Sequence, residues 1–164
     1  MTEIQRDLKS ILKSRIGKGK IIILIGPRQV GKTTLFKSMI SEAGFLDTAQ
    51  YWNCDESDMR SMLTKESSAH FRPLIGKSKF IVIDEAQRVK NIGLILKILY
   101  ENFQDMQFAV TGSSSLDLSN TLNEPLTGRK FEYNLFPFST NELVHNSSML
   151  DEIRQLETRL VYGF

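Results

Sequence analysis

Residues 21–34 read IIILIGPRQVGKTT: five aliphatic residues open directly into Gly26, four spacers, and then Gly31-Lys32-Thr33. The pattern G-x-x-x-x-G-K-[ST] is that of a phosphate-binding loop. Glycine tolerates positive φ and close backbone approach, so Gly26 and Gly31 are expected to let successive N–H groups turn toward a polyphosphate. Gly26, Pro27, Arg28, Gln29, Val30, Gly31, Lys32, Thr33 and Thr34 are therefore the candidate nucleotide-binding residues. Lys32 is expected to reach the β and γ phosphates, and the Thr33 hydroxyl to hold Mg²⁺. The apolar run before the loop and the helix-forming run after it supply the context the motif requires.

A second apolar run, Phe80 to Ile83, ends in the adjacent carboxylates Asp84 and Glu85. Strand alternation sends neighbouring side chains to opposite sides, so the two acids are expected to do different work. In nucleotide hydrolases built on a phosphate loop the first acid holds the magnesium, which assigns Asp84 to the metal. Glu85 is then free to orient and polarise the attacking water. A third run, Gln107 to Val110, ends in hydroxyls, and Thr111, Ser113 and Ser114 are candidates to touch the γ-phosphate or the water. Serine and threonine after a strand also cap helices, and Ser115 to Leu118 has the look of such a start.

The elements that must position these groups alternate. A leading helix is expected to place Ile4, Leu8, Ile11, Leu12 and Ile16 on one face, with Thr2 and Gln5 at capping-box spacing. Arg6, Lys9, Lys13, Arg15, Lys18 and Lys20 then read as a solvated basic face. A helix over about Lys32 to Ala43 stops at Gly44, and Ala49 to Cys54 is a strand with Trp52 in the core. Asp55, Glu56 and Asp58 are read as caps and dipole partners of the next helix rather than as a metal cluster. Pro73 should interrupt whatever helix precedes the acid-bearing strand, and His70 reads as a surface residue. Asn91 to Phe103 is a helix; Phe131, Tyr133 and Leu135 alternate as a last strand; Ser139 to Val144 and Asp151 to Tyr162 are closing helices. Strand and helix in alternation specify a parallel sheet covered on both faces, with ligands at the carboxyl ends of the strands, where Gly26, Asp84 and Thr111 lie.

At 164 residues the chain is one domain of ordinary size, residues 1–164, with 41% hydrophobic and 24% charged residues. A net charge of +2 names no polyanionic partner, so nucleic acid is allowed but not indicated. Cys54 is the single cysteine, which excludes an internal disulfide and fits a reducing, cytoplasmic setting. The amino terminus lacks an apolar signal core, no run approaches transmembrane length, and no membrane association is expected.

GPRQVGKTTL, IVIDEAQRV, FAVTGSSS and LTGRKFEYNLFPFSTNEL together resemble the bacterial and archaeal AAA-type ATPases that carry an additional C-terminal domain. The resemblance extends from about Gly19 onward, and Gly128-Arg129 followed by Leu135 to Ser139 is its most specific part. It implies a three-layer α/β sandwich with a five-stranded, mostly parallel sheet in the order 5-1-4-3-2. It also implies ATP and Mg²⁺ as ligands and an arginine finger, for which Arg129 is the candidate. Arg129 precedes the last strand, so it would act on a neighbouring subunit, and a homo-oligomer is allowed; otherwise it pairs locally with Glu132 or Glu142. In that family a segment like Tyr162-Gly163-Phe164 leads into a long C-terminal region, so the chain reads as the ATPase domain without that region.

The function expected from these residues is ATP hydrolysis driving conformational change in an attached domain or partner. A nucleotide-gated interaction module with very slow hydrolysis and a small-molecule kinase are the alternatives. A helicase needs a second motor domain, and a guanine-reading N/T-K-x-D motif is missing, since Thr64-Lys65-Glu66-Ser67 fails at its last position.

Overall fold

Runs of β-branched and aliphatic residues pair as five parallel strands: β1 (Ile21–Ile25), β2 (Ala49–Asn53), β3 (Phe80–Asp84), β4 (Gln107–Gly112) and β5 (Lys130–Asn134). Their order, β2-β3-β4-β1-β5, is the expected 5-1-4-3-2 read from the other edge. The computed structural model describes residues 4–113, 122 and 124–162. Every residue of β1 and β4 is buried, as the continuous apolar runs require of strands covered on both faces.

Period-2 alternation divides the core. Ile22, Leu24, Phe80, Val82 and Ala109 face Leu35, Phe36, Met39 and Ile40 of helix α2 (Lys32–Glu42) and Leu12 of α1 (Leu8–Arg15). Ile21, Ile23, Ile81, Ile83 and Val110 face Ile92, Ile95, Leu96 and Leu99 of a helix spanning Ile92–Asn102. The result is a three-layer sandwich. Between β2 and β3 lie α3 (Ser57–Leu63) and α4 (Ser68–Ile75); the Ile92–Asn102 helix is α5. After β5 come α6 (Thr140–Asn146) and α7 (Met149–Tyr162). No helix among the described residues is long and apolar enough to cross a membrane.

Several local expectations are corrected. Ile11 is 45% exposed, so α1 seats Leu12 in the core with Leu8 and Ile16 at its margin. Its basic face is solvated only in part: Lys13 and Lys18 are exposed, the others are not. Arg6 is buried, pairs with Glu142 at 3.2 Å, donates to the Phe136 carbonyl and stacks on Phe138. Lys9 and Lys13 both pair with Glu42 of α2, and Arg15 donates to the Tyr133 hydroxyl at 2.9 Å. Pro73 lies inside α4, which runs on to Ile75 and stops at Gly76 with φ of 57°. The missing N–H matters little in so short a helix, because Phe71 and Ile75 anchor it in the core.

The acids at 55–58 do not cap α3 with their side chains; Asp58 sits in the first turn, where it complements the helix dipole. Among the described residues no cluster of three or more His, Cys, Asp or Glu side chains is placed to hold a metal. His70 is half-buried, its Nε2 hydrogen-bonded with the Met62 carbonyl. Ser139 and Glu142 close a reciprocal capping box at the start of α6. Thr2, Ser114, the start expected at Ser115 to Leu118, Gly163 and Phe164 lie outside the described residues.

Candidate functional site

The loop between β1 and α2 curls through positive φ at Gln29 (62°) and Gly31 (94°). Such reversals turn backbone N–H groups inward, the geometry of an anion-binding nest. Gly26 is not one of them. A Cβ on Gly26 would stand 2.3 Å from the Leu135 carbonyl oxygen, so glycine is required here for contact with the chain leaving β5. Pro27, Arg28, Gln29 and Thr34 are exposed and Val30 is half-buried.

Lys32 opens α2 and is 4% exposed. Its Nζ donates to the Gly26 carbonyl at 2.9 Å and the Pro27 carbonyl at 2.8 Å, and lies 3.9 Å from Glu85 Oε1. Burial pushes its pKa down, against the pull of Glu85 and then Asp84, while Arg28 adds to the lowering. An ammonium so desolvated gains from a nearby polyanion more than an exposed one would.

Thr33 Oγ1 donates to Asp84 Oδ2 at 2.7 Å. Parallel pairing of β3 and β4 in register Ile83↔Val110 brings Thr111 beside the same carboxylate. Thr111, fully buried, donates to Asp84 Oδ1 and accepts from the Glu85 N–H at 3.1 Å. Its one proton is thus committed to Asp84, and in this arrangement it fastens the two acids together. Ser113 is half-buried at the exit of β4.

The alternation expected of Asp84 and Glu85 stops at Asp84, where β3 ends. Glu85 adopts φ of 53°, a left-handed conformation costly for a side chain of its size. That turn brings both carboxylates to the phosphate-loop side, Asp84 against Thr33 and Glu85 toward Lys32. Sequence reasoning missed Gln87, whose Nε2 donates to Glu85 Oε2. The signal available was the tetrad Asp84 to Gln87 itself.

Arg129 is held apart from this cluster. Its carbonyl accepts from Ile21 N at 3.0 Å, which fixes it at the amino edge of the sheet, opposite Lys32. Its guanidinium pairs with Glu101 at 3.3 Å, not with the expected Glu132 or Glu142; Glu142 serves Arg6. Gly128, with φ of 73°, makes the preceding turn.

Comparison with known proteins follows this geometry. A family model described as an AAA domain matches residues 18–144. Two uncharacterised proteins, from Mycobacterium bovis and Mycobacterium tuberculosis, are each 29% identical over 126 residues, 76% of this chain. The chain spans 27% of the length of these curated relatives. Among solved structures, Drosophila ORC bound to DNA is similar with a TM-score of 0.57 at 15% identity, covering 84% of this chain and 93% of that one. The Pif1 helicase from Candida albicans is similar with a TM-score of 0.51 at 13% identity, covering 94% and 44%. At such identities the likeness is one of fold.

Proposed function

The chain belongs to the AAA domain family, and from that premise we propose that it binds ATP with Mg²⁺ and hydrolyses it, turnover driving a conformational change in an attached domain or partner. One observation carries this reading: Lys32 and Thr33 meet Asp84 and Glu85 at the carboxyl edge of the sheet. Lys32 leaves the Gly26 and Pro27 carbonyls for the β and γ phosphates, which the N–H groups of the curled loop also receive. A cavity of about 200 Å³ beside Pro27 and Val30, bounded by Arg6 and Phe138, seats the nucleobase.

Thr33 and Asp84 are hard oxygen donors within 2.7 Å of each other, a pair suited to Mg²⁺, which is held by few protein groups together with phosphate and water. When bound, Mg²⁺ neutralises charge on the phosphates. Glu85 orients the attacking water and accepts its proton, while Thr111 holds both acids in place. Arg129 acts, in this reading, on a neighbouring subunit's nucleotide.

The attached domain is assigned to the sequence by which the curated relatives exceed the matched stretch. The setting is cytoplasmic, supported by a single cysteine that is buried and free. Nucleic acid has no part in the proposal, because Arg6, Lys9, Lys13 and Arg15 of the basic face have partners within the chain.

Phosphate release from MgATP without any acceptor tests the reading and separates it from a kinase. Release by the wild type and its loss in Glu85→Gln are expected; no release under single-turnover conditions with saturating protein overturns hydrolysis. A second reading, a nucleotide-gated module with very slow turnover, is favoured by one arrangement: both carboxylate oxygens of Glu85 are engaged, one toward Lys32 and one by Gln87. Tight nucleotide retention with single-turnover decay far slower than binding supports that module.

A further inference from the structure

Lys32, Thr33, Asp84, Glu85 and Thr111 have roles in the functional reading above, but Gln87, in the same cluster, has none. Glu85, in left-handed conformation, leads into a 3-10 turn, Ala86–Arg88, closed by the Arg88 N–H to the Glu85 carbonyl at 3.0 Å. Ala86 is fully buried and pins the turn. The turn carries Gln87 back over Glu85, where its Nε2 donates to Glu85 Oε2. The other carboxylate oxygen, Oε1, faces Lys32.

The chemistry fixes which way the Gln87 amide points. An ionised carboxylate only accepts hydrogen bonds, so the amide must offer its NH₂ group. Its carbonyl oxygen is then turned inward, and Gln87 Oε1 is buried with no hydrogen-bond partner among the described residues. A buried acceptor left unpaired weakens the fold, and few native groups are left so. Gln87 thus sets its donor end on the Glu85 carboxylate.

We propose that Gln87 is a positioning residue for hydrolysis, its amide N–H holding Glu85 Oε2 so that Oε1 is the oxygen presented to the attacking water once Lys32 has turned to phosphate. The proposal rests on the ATP-hydrolysis reading and adds to it the residue that aims the base. The steric hold is directional: Gln87→Met keeps the bulk and loses the donor, while Gln87→Glu keeps the shape and sets two carboxylates against each other.

The test is single-turnover hydrolysis of MgATP by the wild-type chain, Gln87→Met, Gln87→Glu, Glu85→Gln and the double variant Glu85→Gln with Gln87→Met, each checked for folding by thermal melting. Gln87→Met should lower the rate roughly tenfold to a hundredfold, the range for losing a hydrogen bond that orients a reactive group, with MgATP affinity unchanged. Gln87→Glu should be slower still. In the Glu85→Gln background Gln87→Met should bring no further loss, because its effect passes through Glu85.

A wild-type rate in either Gln87 variant overturns the proposal, and so does an equal loss in the two backgrounds. If Gln87→Met fails to fold, Gln87→Glu alone decides by the same criteria. Failure of the parent reading looks different: neither the wild type nor any variant then releases phosphate, or Glu85→Gln is as fast as the wild type, and both proposals fall together.

Discussion

Lys32 and Glu85, at the carboxyl edge of the sheet, stand 3.9 Å apart with side chains 4% and 15% exposed, whereas Arg129 and Glu101, at the amino edge, stand 3.3 Å apart with side chains 35% and 45% exposed. The closer pair is the weaker one. Water and ions screen Arg129 and Glu101, and exposed pairs contribute about 1 kcal/mol or less. The longer pair has lost most of its hydration, so each charge there depends on whatever else is nearby. At the carboxyl edge a cation, two carboxylates and a buried hydroxyl are crowded together at a cost, and that edge is poised for a ligand. The amino edge holds an ordinary surface pair, with the Arg129 guanidinium also on the Pro125 carbonyl and over the Tyr100 ring.

Four variants probe that contrast. The largest effect is expected of Glu85→Gln, which keeps the shape and loses the basic oxygen: turnover should fall by roughly 10² or more with MgATP binding retained. An unchanged rate in a steady-state phosphate assay would place the chemistry elsewhere. Lys32→Met should weaken MgATP binding roughly tenfold to hundredfold by calorimetry, while the nucleotide-free chain stays folded. A large drop in melting temperature would mean that Lys32 is part of the scaffold.

Thr111→Val keeps the volume and strips Asp84 of a donor inside the sheet. Denaturant unfolding should show a loss of about 1–3 kcal/mol, together with slower hydrolysis. A loss below 0.5 kcal/mol, on the order of a surface change, would mean that the acids do not lean on it. Arg129→Ala is the smallest in isolation, within about 1 kcal/mol of wild-type stability and at the wild-type rate in dilute protein. Mixing it with Glu85→Gln should restore some turnover if Arg129 serves a neighbour, and hydrolysis per subunit should then rise with protein concentration. No recovery and no concentration dependence would leave Arg129 to its pair with Glu101.

A pH series measures how dry the carboxyl edge is. Cys54, directly after β2 and hydrogen-bonded through its N–H to the Asp84 carbonyl at 3.0 Å, is fully buried, and burial pushes its thiol from 9.0 up to about 12. The unfolded chain then ionises this group from pH 9 upward while the folded chain keeps its proton to about pH 12. Stability should fall across that window by as much as roughly 1.4 kcal/mol per pH unit, and be untouched by this group below it. Urea titrations of Cys54→Ala should lose this share of the slope, and a slope equal to the wild type's would mean that water reaches the thiol.

Strand positions and the phosphate loop were legible because they rest on long apolar runs and a spaced motif, whereas the sheet order came from the family resemblance. Local information failed where tertiary contacts decide. Arg6 reads as one of four basic residues on a helix face, yet Glu142, more than a hundred positions away, draws it inside. Pro73 reads as a break, but Phe71 and Ile75 hold α4 together around it. The alternation argument gave Asp84 and Glu85 separate partners, though by a different route, since a left-handed residue ends the strand between them. Gln87 could not be weighed from the tetrad alone, because its meaning lies in a turn that places it over its neighbour.

The glycine that opens the phosphate loop has a mechanical consequence. Leu135 N donates to the Ile25 carbonyl at 2.7 Å, and the Leu135 oxygen lies where a methyl group on Gly26 would be. No slack separates the two backbones. A pull on the chain beyond β5 is therefore shared at once with the first bend of the loop, and a change in that bend presses back on the segment leading into α6. Under the proposed function, strain would pass between the loop and the following polypeptide through main-chain contact, without a relay of side chains, and Gly26→Ala would disturb that contact first.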